Sequence, residues 1–119
     1  MKDIMREGKL DELCKQLGLS AIRASHELRD KREYELSSQL LRSATSVGAN
    51  VSESAYGQSR ADFVSKMQIA LKECSETLWW LELLEAGGLF SDFEMLETAT
   101  SIKRILIASI KTATANGKK

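Results

Sequence analysis

Apolar residues recur along this chain at alternating spacings of three and four, the period that places side chains on one face of an α-helix. Leu10, Leu13, Leu17, Ala21, Ala24 and Leu28 mark a first helix. Leu36, Leu40, Ala44, Val47, Val51 and Ala55 mark a second; Phe63, Met67, Ala70, Leu71, Cys74, Leu78 and Leu81 a third; Met95, Ala99, Ile102, Leu106, Ile110 and Ala113 a fourth. The pattern predicts helices over 10–30, 35–56, 60–86 and 92–113. Gly57 stands where a left-handed cap would close the second, and Gly87-Gly88 where the third stops. Ser59 with Asp62 and Ser91 with Glu94 have the form of N-terminal capping boxes, and Phe90 and Met95 stand at the positions of a hydrophobic staple. Four helices of similar length with short connections predict an all-α, antiparallel up-down-up-down four-helix bundle, a single domain over 1–119.

The second helix departs from an ordinary surface helix. Between Leu36 and Ser59 its only charges are Arg42 and Glu53, whereas an amphipathic helix keeps a charged face toward water. Beside its apolar stripe runs a second one, Gln39, Ser43, Ser46, Asn50, Glu53 and Gly57, small and hydrogen-bonding. Ser, Thr, Asn and Gly are indifferent helix formers, so packing has to hold the segment helical. That predicts cover on more than one side. The third helix carries apolar surface beyond the needs of a core, because Ile69, Trp80 and Leu83, with Trp79 nearby, lie roughly opposite its Phe63-to-Leu81 face. Either the tryptophans cap the end of the bundle, or they belong to a partner surface.

Composition narrows the class. With 119 residues, no proline, 7 glycines and 17 basic against 17 acidic residues, the chain is long enough for a real core and carries no global charge that calls for nucleic acid. Cys14 and Cys74 both fall on apolar stripes, which fits reduced core thiols in a reducing compartment, a disulfide being the minority reading. No apolar run reaches the roughly 20 residues of a membrane span, and the charged start MKDIMREGKLDEL lacks a signal-peptide core. A cytoplasmic location is expected.

The segments RSATSVGANVSES and DFVSKMQIALKECSETLWWLELL, with SSQL before them, closely resemble the four helix bundle family, from about Ser37 to Leu84. Its members include the S23 proteins encoded in intervening sequences of bacterial 23S ribosomal RNA genes, and the retroelement accessory variability protein is a more distant relative. Ser43, Ser46, Asn50, Glu53, Phe63, Lys66, Ala70, Glu73 and Glu76 stand at the family's spacing. The resemblance implies a bundle fold and a ring-like homo-oligomer, typically a pentamer. It implies no reaction, and the family's biochemical role is poorly defined.

Candidate chemistry is sparse. Glu73-x-x-Glu76 invites a di-metal reading, but such sites need Glu-x-x-His on two helices, and the only histidine, His26, has no glutamate three residues before it. No metal and no cofactor are expected. Serine is abundant, yet none has a histidine near it to activate it, and there is no glycine-rich phosphate loop. Ser46, Asn50, Glu53, Glu73 and Glu76, beside Lys66 and Lys72, read instead as a polar network, and with Ile69 and Trp80 as candidate residues of an oligomer contact. Two function classes follow: a non-enzymatic homo-oligomeric scaffold, for which the gene context of the family it resembles implies an association with RNA or ribonucleoprotein, and a small-ligand or enzymatic protein using polar residues in a bundle or ring cavity. An antiparallel bundle also gathers Lys2, Arg6, Lys9, Lys15, Arg60, Lys66, Lys111, Lys118 and Lys119 at one end, against Asp3, Glu7, Asp11, Glu12, Glu53 and Asp62. Within that basic excess Arg60, Lys66 and Lys111 are the candidate phosphate contacts; a solvated mixed-charge surface is the plainer reading.

Overall fold

The computed structural model of the chain describes residues 2–117, with side chains for residues 8–116. Four helices follow one another: α1 (Lys2–Asp30), α2 (Tyr34–Ser54), α3 (Arg60–Ala86) and α4 (Phe93–Gly117). Among the described residues each helix packs on its chain neighbours and α1 also on α4, while the diagonals α1–α3 and α2–α4 stay apart. That is the ring of contacts of an antiparallel bundle, drawn out to 52 × 22 × 20 Å. The α2–α3 pair packs most extensively and α1–α4 least. Helices α1 and α4 overrun the predicted limits, to Lys2 and to Gly117. Gly8 does not stop α1, consistent with a helical glycine costing only about 1 kcal/mol.

Leucines lead the core: Leu10, Leu17 and Leu28 of α1, Leu40 of α2, Leu84 of α3 and Leu106 of α4, joined by Val47, Met95 and Ile102. On α3 the apolar stripe is rotated from the expected one. Thr77 and Leu84 are buried, whereas Phe63, Leu71 and Leu78 are half-buried. Ala55 is exposed because α2 ends one residue before it. Two buried serines tie α1 to α2, the Ser37 hydroxyl donating to the Ser25 carbonyl at 3.0 Å.

Two of the turns are the same device with different residues. After α3, Gly88 takes φ +71, Leu89 N donates to Leu84 O at 3.0 Å and Gly88 N to Glu85 O at 3.0 Å, the paired bonds of a Schellman cap. After α1, Glu33 N donates to Leu28 O at 2.8 Å and Arg32 N to Arg29 O at 2.9 Å. There the left-handed position is held by Arg32, φ 64. The Lys31 ammonium donates to the Leu89 carbonyl, linking these two turns at one end of the bundle.

Gly57 is not in the left-handed region. A Cβ there would come within 3.2 Å of Asp62 Cβ and of Phe63 N, so glycine is needed where the first turn of α3 closes over the end of α2. Ser59 caps α3, accepting from Asp62 N at 3.1 Å, but the Asp62 carboxylate reaches back to Gln58 N at 3.3 Å rather than to Ser59. The second expected box does not form. Asp92 caps α4 by accepting from Met95 N at 3.0 Å, and the Ser91 hydroxyl instead donates to Glu85 Oε1 at 2.9 Å. Phe90 and Met95 are both buried, one position out of staple register.

Candidate interaction site: a polar seam and an apolar groove

Arg42, the lone cation of α2, reaches over the α2–α3 seam. Its Nη1 donates to both oxygens of Glu73, at 3.2 and 3.4 Å, and its Nη2 to Glu76 Oε2. Ser46 Oγ donates to Glu73 Oε2 at 3.3 Å, Asn50 Nδ2 to the Ser46 carbonyl at 2.9 Å, and Trp80 Nε1 to Glu76 Oε2 at 2.9 Å. Beneath this layer Thr77 Oγ1 lies 2.9 Å from both Ser43 Oγ and the Glu73 carbonyl, with both hydroxyls fully buried. Among the described residues no buried side-chain nitrogen or oxygen lacks a partner. A seam satisfied to this degree is a fastener between two helices, since buried polar groups are tolerated only when bonded.

The structure therefore gathers Ser46, Asn50, Glu73, Glu76 and Trp80 into one network. Glu53 stands apart from it, accepting from Lys66 Nζ at 2.8 Å near the α2–α3 turn. Ile69 is 40% exposed and contributes to no part of the network. Trp80 is half-buried against the core while Trp79 is 56% exposed. Arg60 and Lys111 are exposed. Of the charges expected at that end, Lys2, Asp3, Arg6, Glu7, Lys118 and Lys119 lie outside the residues whose side chains are described. Sequence reasoning did not place Arg42 or Thr77 in the site. The signal for Arg42 was its isolation on a helix whose second stripe faces two glutamates; Thr77 had none, because threonine at a core position is unusual.

A second feature lies on the other flank of α2. A groove of about 640 Å³ runs between α1 and α2, lined by Asp11, Lys15, Gly18, Leu19 and Ile22 on one wall and Thr45, Gly48, Ala49 and Ser52 on the other. Leu19 and Ile22 are 51% and 44% exposed. At its floor α1 and α2 come close, for a Cβ on Gly48 would sit 3.3 Å from that of Cys14. Burial pushes the Cys14 thiol up to about 12, with the nearby Asp11 charge adding to it, and the Cys74 thiol up to about 11. Cys74 donates to the Ala99 carbonyl at 3.2 Å. Both cysteines are free, and their Cα atoms stand more than 8 Å apart across the bundle, beyond the reach of a disulfide. As thiols rather than thiolates they are poor nucleophiles. His26 is exposed, and among the described residues no three His, Cys, Asp or Glu side chains converge as a metal site would require. No helix among them is long and apolar enough to cross a membrane.

Fold and seam together define an all-α four-helix bundle protein whose second and third helices are joined by a hydrogen-bonded polar layer. The family of the 23S rRNA-intervening sequence protein matches over residues 9–108, and the chain belongs to that family. Among solved structures it is similar to a protein with unknown function from the S23 ribosomal protein family of Bacteroides thetaiotaomicron VPI-5482. The two share 34% identity with a TM-score of 0.84, over 89% of this chain and 98% of that one. A search of curated proteins returned no match.

Proposed function

We propose that the protein is a non-enzymatic, self-associating scaffold whose copies join head to tail in a ring, five of them as the family resemblance implies. One observation carries this reading. The chain exposes two apolar surfaces on different faces: the α1–α2 groove, and an outer ridge of α3 bearing Ile69, Trp79 and Leu83 at 40%, 56% and 41% exposure. Large exposed apolar side chains clustered in this way mark partner surfaces. Two unlike surfaces on one chain favour a heterologous contact, in which each copy offers one and receives the other, and such contacts close into rings when the rotation allows. Size exclusion coupled to light scattering tests it. The expected mass at micromolar concentration is a multiple of the 13.2 kDa chain, and a clean single-chain mass overturns the reading.

Weak association with structured RNA is a second reading, supported by Tyr56. Tyr56 is 84% exposed in the α2–α3 connection, three residues before the N-cap of α3 and close in sequence to the exposed Arg60. An aromatic face beside a guanidinium is a surface on which bases stack. Lys111, toward the C-terminal end of α4, belongs to the same end of the bundle; Lys66 is already held by Glu53. Binding should be sequence-tolerant and fall steeply with salt. A gel-shift titration at about 50 mM salt should show it for the wild type and lose it for the combined Arg60→Glu and Lys111→Glu variant. No shift by the wild-type protein removes this reading.

A further inference from the structure

The two apolar surfaces carry matching stripes. Along the ridge of α3 stand Ile69, Lys72, Glu76, Trp79 and Leu83; along one stripe of α1 stand Gly8, Asp11, Lys15, Gly18 and Ile22, the last four lining the groove. Both follow the same spacing of three, four, three and four, so the stripes can lie side by side with every position in register. Laid parallel, Lys72 meets Asp11, Glu76 meets Lys15, Trp79 meets Gly18 and Leu83 meets Ile22. One new opposite-charge pair forms, Lys72 with Asp11, while Lys15 joins Arg42 and Trp80 around the Glu76 carboxylate, and the largest exposed side chain of the ridge falls on Gly18, which has no side chain. Gly18 is open for this, since a Cβ built there meets nothing within 4 Å. Laid antiparallel the same stripes put Trp79 on Lys15, Leu83 on Asp11, Glu76 on Gly18 and Lys72 on Ile22. Every charge then faces an apolar or absent side chain, and Trp79, Leu83 and Ile22 all face a charge.

Resting on the self-association proposed above, we infer that the α1–α2 groove receives the α3 ridge of a second copy of this chain, parallel to α1, with Asp11 paired to Lys72. The orientation has a consequence for the assembly. In an up-down-up-down bundle α1 and α3 run the same way, so parallel seating leaves neighbouring copies pointing in one direction. A chain cannot fill its own groove, because its α1 and α3 are diagonal and out of contact. Charge decides the register and the absent side chain at Gly18 decides where the indole goes. The opposite wall of the groove is compatible with close approach, since Thr45, Gly48, Ala49 and Ser52 are small and uncharged.

A charge-swap experiment tests the register. Light scattering coupled to size exclusion is run at one micromolar concentration on the wild type, Asp11→Lys, Lys72→Asp and the double variant. Each single change should move the mass toward the 13.2 kDa chain, and the double change should restore the wild-type mass. Gly18→Gln supplies a second arm. Glutamine is a good helix former and the site is open, so the circular dichroism spectrum should keep its full helical signal while assembly is lost. A wild type that is a single chain removes self-association and the register with it. A wild type that assembles, with single variants that assemble unchanged or a double variant that stays dissociated, overturns the register and leaves self-association standing. Normal assembly by folded Gly18→Gln overturns it equally, whatever the charge variants do.

Discussion

The two flanks of α2 look alike in composition and behave differently. Toward α3 it offers Ser43, Ser46 and Asn50; toward the α1–α2 groove it offers Thr45, Gly48, Ala49 and Ser52. Both are small and nearly free of charge. On the α3 flank each of these side chains hydrogen-bonds inside the chain, down to the fully buried Ser43–Thr77 hydroxyl pair. On the groove flank exposed Leu19 and Ile22 stand opposite small side chains across open space. A charge-poor helix face thus has two causes, an internal seam or an external contact. What separates them is whether the facing helix supplies hydrogen-bond partners.

Between the two flanks runs the apolar edge of α2, and it sets the scale against which both are judged. Leu40 is fully buried there. Leu40→Ala should cost about 2–5 kcal/mol, the transfer and cavity cost of a core leucine, read from urea unfolding. The seam should respond less but more specifically. Thr77→Val keeps the shape and removes the hydroxyl, leaving buried Ser43 with one contact fewer, at a cost of about 1–3 kcal/mol. The double variant Thr77→Val, Ser43→Ala should cost less than the sum of the two singles, because neither hydroxyl is then left stranded. Additive costs would mean that the hydroxyls do not work as a pair and that the seam is no fastener.

How much of this could be read from sequence depends on how local the cause is. Periodicity suffices for four helices, because the apolar spacing is a property of each segment alone. The family's bundle was legible from the Ser37–Leu84 resemblance, and the chain does belong to that family. The turns were read less well. A left-handed cap was expected at Gly57, a glycine; the chain instead uses Arg32, where Leu28 O and Arg29 O draw in two backbone N–H groups whatever the side chain. Ser91 was expected to cap α4, yet Asp92 competes for the same backbone donors and Glu85, six residues upstream, takes the serine hydroxyl. Thr77 was missed for a related reason, since only its partner across the seam makes a buried threonine acceptable. Arg32→Gly tests the turn: with φ 64 costing a side chain about 1 kcal/mol, the variant should gain about 0.5–1 kcal/mol, less what the looser unfolded chain takes back.

The smallest effect on folding is expected on the groove flank, where Ala49 is exposed. Ala49→Glu adds a charge to an open helix surface and breaks no hydrogen bond, so the isolated chain should change by no more than about 0.5 kcal/mol. Its consequence lies in assembly. A carboxylate in the groove would be buried without a partner if the α3 ridge of a second copy seats there, and burying an unpaired charge is costly. Because association binds only folded chains, the wild-type thermal midpoint should rise with protein concentration. The Ala49→Glu midpoint should be independent of concentration and equal to the wild type's at high dilution. The seam variants, by contrast, should lower the midpoint at every concentration by a similar amount. If Ala49→Glu leaves the concentration dependence intact, the groove is not where copies meet, and the two flanks of α2 differ only in how well they are covered.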